Sequence, residues 1–331
     1  PRPTPKGPQG WQKIAAEKTE AQLKKLLAPP PVPTTEQKAQ FADPFFLDGW
    51  QQEAVDQLEQ GHHVVVDAPT TAGKTRVIEA FFKRHLDDPK FRAVYTTPVK
   101  SLSNDKLREF RVLFGREHVG ISTGDIKENL DAPIVVATLE SYRNSLLGME
   151  PDLGRTIVVF DEYHYIQDIS RGSAWEEAII LSPPTCQILL LSASVANADE
   201  FANWVASIHS RRDARLITVA ERPVPLVNMA FEGEQWFMAD FIPNSLLQAR
   251  YYKDQAKLPP EDLALRLSKL PNGLTPCIVY AGKRLSCEEL GRQIARHQPP
   301  IKPEELEAIT TTLSEADGEV ASGKFIPHNL L

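Results

Sequence analysis

At 331 residues the chain is long enough for about two domains of ordinary size. Hydrophobic residues make up 42% and charged residues 24%, a composition that supports real cores, and the net charge of −7 excludes a globally basic nucleic-acid coat. No run of about eighteen apolar residues occurs, so no membrane-spanning helix is expected, and no signal-peptide pattern opens the chain.

In chain order, residues 1–44 read as a Pro-rich tail. Pro1, Pro3, Pro5 and Pro8 crowd one end, and Pro29, Pro30, Pro31 and Pro33 the other. Between them Trp11 to Leu27 could form one short Lys/Glu-rich helix, although the prolines favour a solvated linker. The absence of an initial methionine suggests a fragment or a processed form. Next comes Phe45-Phe46-Leu47-Asp48-Gly49-Trp50-Gln51, leading into an amphipathic helix that ends near Gly61. Phe45 and Gln51 could stack on and hydrogen-bond a purine; the plainer reading is core and staple residues.

Val64-Val65-Val66 then runs into Asp67-Ala68-Pro69-Thr70-Thr71-Ala72-Gly73-Lys74-Thr75, and Val77, Ile78, Phe81 and Phe82 follow at helical spacing. Strand, tight loop and helix are the context of a phosphate-binding loop, whose inward N–H groups and helix dipole attract anionic phosphate. Lys74, read as an exposed loop lysine, would reach the terminal phosphates, and Thr75 would offer its hydroxyl to Mg²⁺. The pattern G-x-x-x-x-G-K-[ST] is met except that Ala68 stands at the first glycine.

Apolar runs recur at residues 93–95, 134–137, 157–160, 188–191 and 216–219, with helical segments between them. Such an alternation predicts an α/β fold, a parallel sheet with helices on both faces, whose ligands sit beyond the carboxyl ends of the strands. The residues after four of these runs are Thr96-Thr97-Pro98-Val99-Lys100, Thr138-Leu139-Glu140, Asp161-Glu162-Tyr163-His164 and Ser192-Ala193-Ser194. Hydroxyls, acids and a lysine therefore share one edge. An acid directly after a strand opposite a phosphate loop holds Mg²⁺, and a second acid beside it can polarise water as a general base. A helix-capping acid is the plainer alternative for one carboxylate. It does not account for Asp161, Glu162 and His164 together.

From Glu221 the texture becomes irregular, and a second strand–helix start follows at Pro276-Cys277-Ile278-Val279-Tyr280, with Lys283 and Arg284 at its end. The expected organisation is a tail over 1–44, a first domain over 45–224, and a linker with an incomplete second domain over 225–331. Cys186, Cys277 and Cys287 form no C-x-x-C pair, which fits buried reduced thiols in a cytoplasmic protein.

The order of these motifs resembles the Ski-like branch of the superfamily 2 DExH helicases, the superkiller and exosome-associated RNA helicases. Ala68 to Thr75 is similar to their motif I, in which an alanine at the first position is usual. Asp161 to His164 is similar to the DExH box, and Ser192-Ala193-Ser194 to motif III, which couples nucleotide to nucleic acid. Phe45 and Gln51 fall where the adenine-recognising motif lies. Thr97, Pro98 and Lys100 fall in motif Ia. Thr123 and Gly124, then Thr138, Glu140, Arg143 and Asn144, match the motifs lining the nucleic-acid path. Cys277 to Glu289 resembles motif IV, and Arg171-Gly172-x-x-Trp175-Glu176-Glu177 is close to the RNA-acting members.

The resemblance implies two RecA-like domains and an ATP-dependent RNA helicase motor. Its catalytic residues would be Lys74, Asp161, Glu162 and His164, with Thr75 and Asp161 holding the Mg²⁺ that accompanies ATP. Single-stranded RNA would cross the strand-end loops and reach Lys283 and Arg284, with RNA-processing proteins as further partners. A DNA helicase of the same branch, a phosphate-loop GTPase switch and an ATP-gated RNA scaffold are the rival readings. An Asn-Lys-x-Asp guanine motif is missing, which disfavours the GTPase. Motifs V and VI do not occur before Leu331, so this stretch alone is expected to turn over ATP very slowly.

Overall fold

The computed structural model describes residues 10–28, 46–149, 156–193, 195, 197–224, 226–232, 235–242, 266 and 269–271. Phe45, Ser194, Lys283, Arg284 and the second strand–helix start lie outside these residues. The chain divides into two compact units: residues 31–226, and a second made of 1–30 with 227–331.

In the first unit α2 (Gly49–Glu59) precedes β1 (His63–Asp67), and α3 (Thr75–His85) follows it. Then come β2 (Ala93–Thr97), α4 (Lys100–Phe114), β3 (Val119–Ser122), β4 (Lys127–Glu128), β5 (Ile134–Thr138) and α5 (Leu139–Leu146). The remainder is β6 (Ile157–Asp161), α6 (Gly172–Leu181), β7 (Gln187–Ser192), α7 (Ala198–Ile208) and β8 (Ala214–Thr218). The eight strands are ordered β4-β3-β5-β2-β6-β7-β1-β8. All neighbours are parallel except β3 and β4.

The apolar runs are continuous because both faces of the sheet are covered. Val64, Val66, Tyr95 and Val159 pack with Leu58, Ile78, Phe82 and Phe110 on one face. Val65, Val94, Val158 and Phe160 pack with Tyr142, Trp175, Ile179 and Val205 on the other. Each fully buried aliphatic side chain contributes about 1.5–3 kcal/mol. Register aligns the chemistry: Asp67 lies beside Ser192, Asp161 beside Leu191, and Thr97 beside Thr138. β3 and β4 have no long apolar run to announce them. Their pairing is so close that a Cβ on Gly120 would sit 2.0 Å from Asn129 O.

His63 opens β1 at the edge opposite those strand ends and is fully buried. Ile188 N–H donates to its Nδ1 at 3.0 Å, so its Nε2 carries the proton and faces His209 O at 3.3 Å. Burial pushes the His63 pKa down from 6.5 to about 4, with the bond to His209 opposing and the charges of His209 and Arg212 adding. A folded-state pKa below the unfolded one means the unfolded chain takes up the proton first. Stability should therefore fall as pH drops from about 6.5 towards 4, by up to about 3 kcal/mol from this residue. Urea unfolding across that range measures the loss, and NMR should find His63 neutral in the folded chain at pH 5.

In the second unit α1 (Gly10–Leu26) packs on a hairpin of β9 (Met229–Glu232) and β10 (Gln235–Met238). Ala15, Thr19 and Leu23, one face at spacing four, are buried. Trp11 meets Phe237 at 5.7 Å between ring centroids, and Met238 N–H donates to Thr19 Oγ1 at 3.0 Å. The segment read as a solvated linker thus contains a docked helix. Its partners lie more than 200 residues away in sequence, beyond the reach of local pattern.

Candidate functional site

The loop from β1 to α3 is curled by positive φ at Thr71 (69°) and Gly73 (82°). Gly73 also faces Gln51, whose Nε2 would lie 2.8 Å from a Cβ placed there. Ala68 is not among the positive-φ residues, so the first position of the loop asks for nothing that only glycine supplies. Its N–H donates to Ser192 O at 3.1 Å, tying the loop to β7. Gln51 is buried and braces the loop from behind. Its Nε2 donates to Ala72 O (3.3 Å) and Gly73 O (3.1 Å), and its Oε1 accepts from Asp48 N–H at 2.8 Å. A cavity of about 250 Å³ adjoins this brace, lined by Phe46, Asp48, Gln51, Thr71, Ala72, Gly73, Arg76 and Pro223.

Lys74 is only 9% exposed, which corrects its reading as an exposed loop lysine. Its Nζ folds back and donates to Ala68 O (3.0 Å) and Pro69 O (3.2 Å). Burial lowers its pKa, against the opposing pull of Glu162, Asp161 and Asp67.

Asp161, at the end of β6, is held by Tyr95, whose hydroxyl donates to Oδ2 at 2.5 Å. Burial raises the Asp161 pKa; the Tyr95 bond opposes this, the Glu162 charge adds to it, and Lys106 and Lys74 oppose it. Glu162 adopts left-handed backbone angles (φ 59°, ψ 45°), a conformation costing about 1–3 kcal/mol for a non-glycine residue. Its Oε2 is buried without a hydrogen-bond partner, although His164 Nδ1 lies 3.3 Å away. Ser192 Oγ donates to Ala193 O at 2.8 Å, so His164 Nδ1 is the donor in its 3.1 Å contact with Ser192 Oγ. The phosphate-type loop and the acid pair therefore straddle β7, with Ser192 between them.

Thr75 and Asp161 offer only oxygen, the donor set of a hard divalent cation. Among the described residues no salt bridge engages Asp161, and no group of three or more His, Cys, Asp or Glu is placed to hold a metal. Two oxygen ligands fit a Mg²⁺ whose remaining ligands are phosphate and water, and do not make a protein cage.

A second cavity, about 370 Å³, opens at the same edge between the ends of β2 and β5. Pro98, Lys100, Gly124, Thr138, Glu140 and Asn144 line it as sequence reading expected, together with Val99, Ser141 and Arg171. Lys100 pairs there with Asp125. Thr97 and Thr123 depart from the expectation because they are buried. Thr97 Oγ1 meets Ser103 Oγ at 2.6 Å, and Thr123 Oγ1 accepts from Ile126 N–H at 3.1 Å. Arg143 is not in the lining; it meets Glu177 at 3.5 Å and donates to Asn144 Oδ1 at 3.1 Å. Trp175 is core, at 2% exposure.

Tyr95, Asp67 and the cleft position of Arg171 were not read from sequence. Asp67 Oδ1 accepts from Val195 N–H at 3.2 Å. Arg171 donates to Pro98 O at 3.2 Å and stacks 5.0 Å from the Tyr165 ring centroid. A tyrosine in an otherwise aliphatic strand was the one available signal for Tyr95. Among the described residues no helix is long and apolar enough to cross a membrane.

Residues 49–201 match the DEAD/DEAH box helicase family. Over 189 residues the chain is 44% identical to "DExH-box ATP-dependent RNA helicase DExH15 chloroplastic" of Arabidopsis thaliana, covering 55% of this chain and 16% of that protein. It is 40% identical over 238 residues to "Antiviral helicase SKI2" of Saccharomyces cerevisiae, covering 70% and 18% respectively. It is 34% identical over 318 residues to "Probable helicase HelY" of Mycobacterium leprae, covering 84% and 34%. The chain thus spans between about a sixth and a third of the length of these relatives. Among solved structures, helicase MrfA bound to DNA and AMPPNP aligns with a TM-score of 0.55 at 17% identity, over 86% of this chain and 43% of that one. That similarity places the fold in the RecA-like class.

Proposed function

We propose, from the premise that residues 49–201 are a DEAD/DEAH box helicase domain, that the chain carries the first motor domain of an ATP-dependent RNA helicase. In this reading residues 45–224 are that domain, and 225–331 are a linker with the start of the second. The carrying observation is the convergence of Lys74, Thr75, Asp161 and Glu162 on one sheet edge, beside a separate cleft lined by the motif residues.

ATP enters at the curled loop, where backbone N–H groups within residues 70–75 donate to phosphate oxygens. Lys74 exchanges the carbonyls of Ala68 and Pro69 for the terminal phosphates and counters the charge that develops there. Thr75 and Asp161 would hold Mg²⁺, which neutralises phosphate charge when bound. Glu162 orients and deprotonates the attacking water. Its unpartnered carboxylate oxygen and left-handed backbone suit a group kept ready for a ligand. His164, bonded to Ser192, connects this centre to β7, with Ala193 and Ser194 completing the coupling segment.

Single-stranded RNA lies along the cleft, its phosphates meeting Lys100 and Arg171. RNA is preferred to DNA on two grounds: the Trp175-Glu176-Glu177 signature, and relatives that carry RNA-helicase names. Binding of labelled single strands of matched RNA and DNA sequence, with Mg·ATP present, tests this. Tighter RNA binding is expected. Equal binding would favour the DNA reading, and absence of nucleotide binding would overturn the whole assignment.

Adenine preference follows from Gln51 and its cavity. Gln51→Ala removes the loop brace and the amide whose Oε1, already accepting from Asp48 N–H, has one lone pair left for adenine's amino group. ATP affinity should fall by about tenfold, and any preference for ATP over GTP should shrink with it. Competition binding reads both effects. Unchanged values in the variant would leave Gln51 a purely structural residue.

A further inference from the structure

Tyr95 is an unusual occupant of β2. It is fully buried in the layer that also holds Ala93, Val159 and Phe82, and Phe110 meets its ring edge-on at 5.2 Å. A phenol buried this completely needs a partner for its hydroxyl. Its partner belongs to the candidate metal site: the phenol proton goes to Asp161 Oδ2 at 2.5 Å. Asp161 ends β6, so one hydroxyl from β2 ties the two neighbouring strands together at the site.

A carboxylate whose Oδ2 is held by Tyr95 presents the other oxygen in a fixed orientation.

We propose that Tyr95 is a positioning residue that pre-sets Asp161 as an oxygen ligand for the nucleotide-associated divalent cation. This rests on the nucleotide-site reading given above and adds to it an outer-shell determinant of metal affinity. Partners of this kind orient first ligands, and their removal commonly lowers metal affinity by about 10–100-fold.

The test is Tyr95→Phe, which retains the buried ring and deletes only the hydroxyl. ATP-analogue binding is titrated against free Mg²⁺ for the wild type, Tyr95→Phe, Asp161→Asn and the double variant, with a melting curve for each. In the wild type, Mg²⁺ should strengthen nucleotide binding; a wild type that binds no nucleotide would reject the nucleotide site itself. In Tyr95→Phe the Mg²⁺ concentration at half effect should rise about tenfold, while metal-free nucleotide affinity stays within about twofold. In the Asp161→Asn background the Tyr95 change should have little further effect on Mg²⁺ dependence, because the ligand it orients is already gone. Unchanged Mg²⁺ dependence in the single variant, or full additivity in the double, would overturn the proposal. So would loss of cooperative melting in Tyr95→Phe, which would show that the core itself requires the hydroxyl.

Discussion

Glu162→Gln should leave Mg·ATP binding within about threefold of wild type while ATP turnover falls by about 10²-fold or more. The amide preserves the volume and the polar contacts of the side chain but cannot accept a proton from water. The backbone at Glu162 is left-handed, and a glutamine occupies that conformation at about the same cost as a glutamate. The substitution therefore changes the chemistry without changing the local frame. The buried Oε2 has no hydrogen-bond partner, so little in the folded chain is lost with its charge. Nucleotide binding measured beside phosphate release separates the two effects. Near wild-type turnover would show that another group positions the water.

Lys74→Ala should lower ATP affinity by about 10²-fold or more, since it removes the charge that meets the terminal phosphates. The ammonium is buried and donates to Ala68 O and Pro69 O, so its loss also alters the loop itself. Two opposing effects follow for stability. Two hydrogen bonds of a charged donor disappear, each worth about 1.5–3 kcal/mol net, and the desolvation that depresses the Lys74 pKa is relieved. The loss should show as a lower melting temperature with cooperative unfolding retained. Calorimetric ATP binding beside the melting curve reads both. Wild-type affinity in the variant would remove the phosphate-loop assignment.

What the sequence determined by itself was the local grammar. Continuous apolar runs such as Ile157-Val158-Val159-Phe160, alternating with helical segments, indicate strands covered on both faces, and the residues after them share an edge. That reasoning brought Thr75, Lys74 and Asp161 to one edge, and Pro98, Lys100, Thr138 and Glu140 to one cleft. Period-two and period-3.6 patterns are set by near neighbours, so sequence carries them openly. Burial of individual side chains is not. Thr97 and Thr123 stand at the strand-end edge, but whether a hydroxyl faces the cleft or its own loop depends on rotamers fixed by packing. The left-handed backbone of Glu162 is held by its surroundings and has no glycine to announce it. The docking of α1 on the hairpin of β9 and β10, the bracing of the loop by Gln51, and the bridge from Tyr95 to Asp161 join residues between about twenty and more than two hundred positions apart. Contacts of that range exist only once the sheet is assembled, and the tertiary structure decided them.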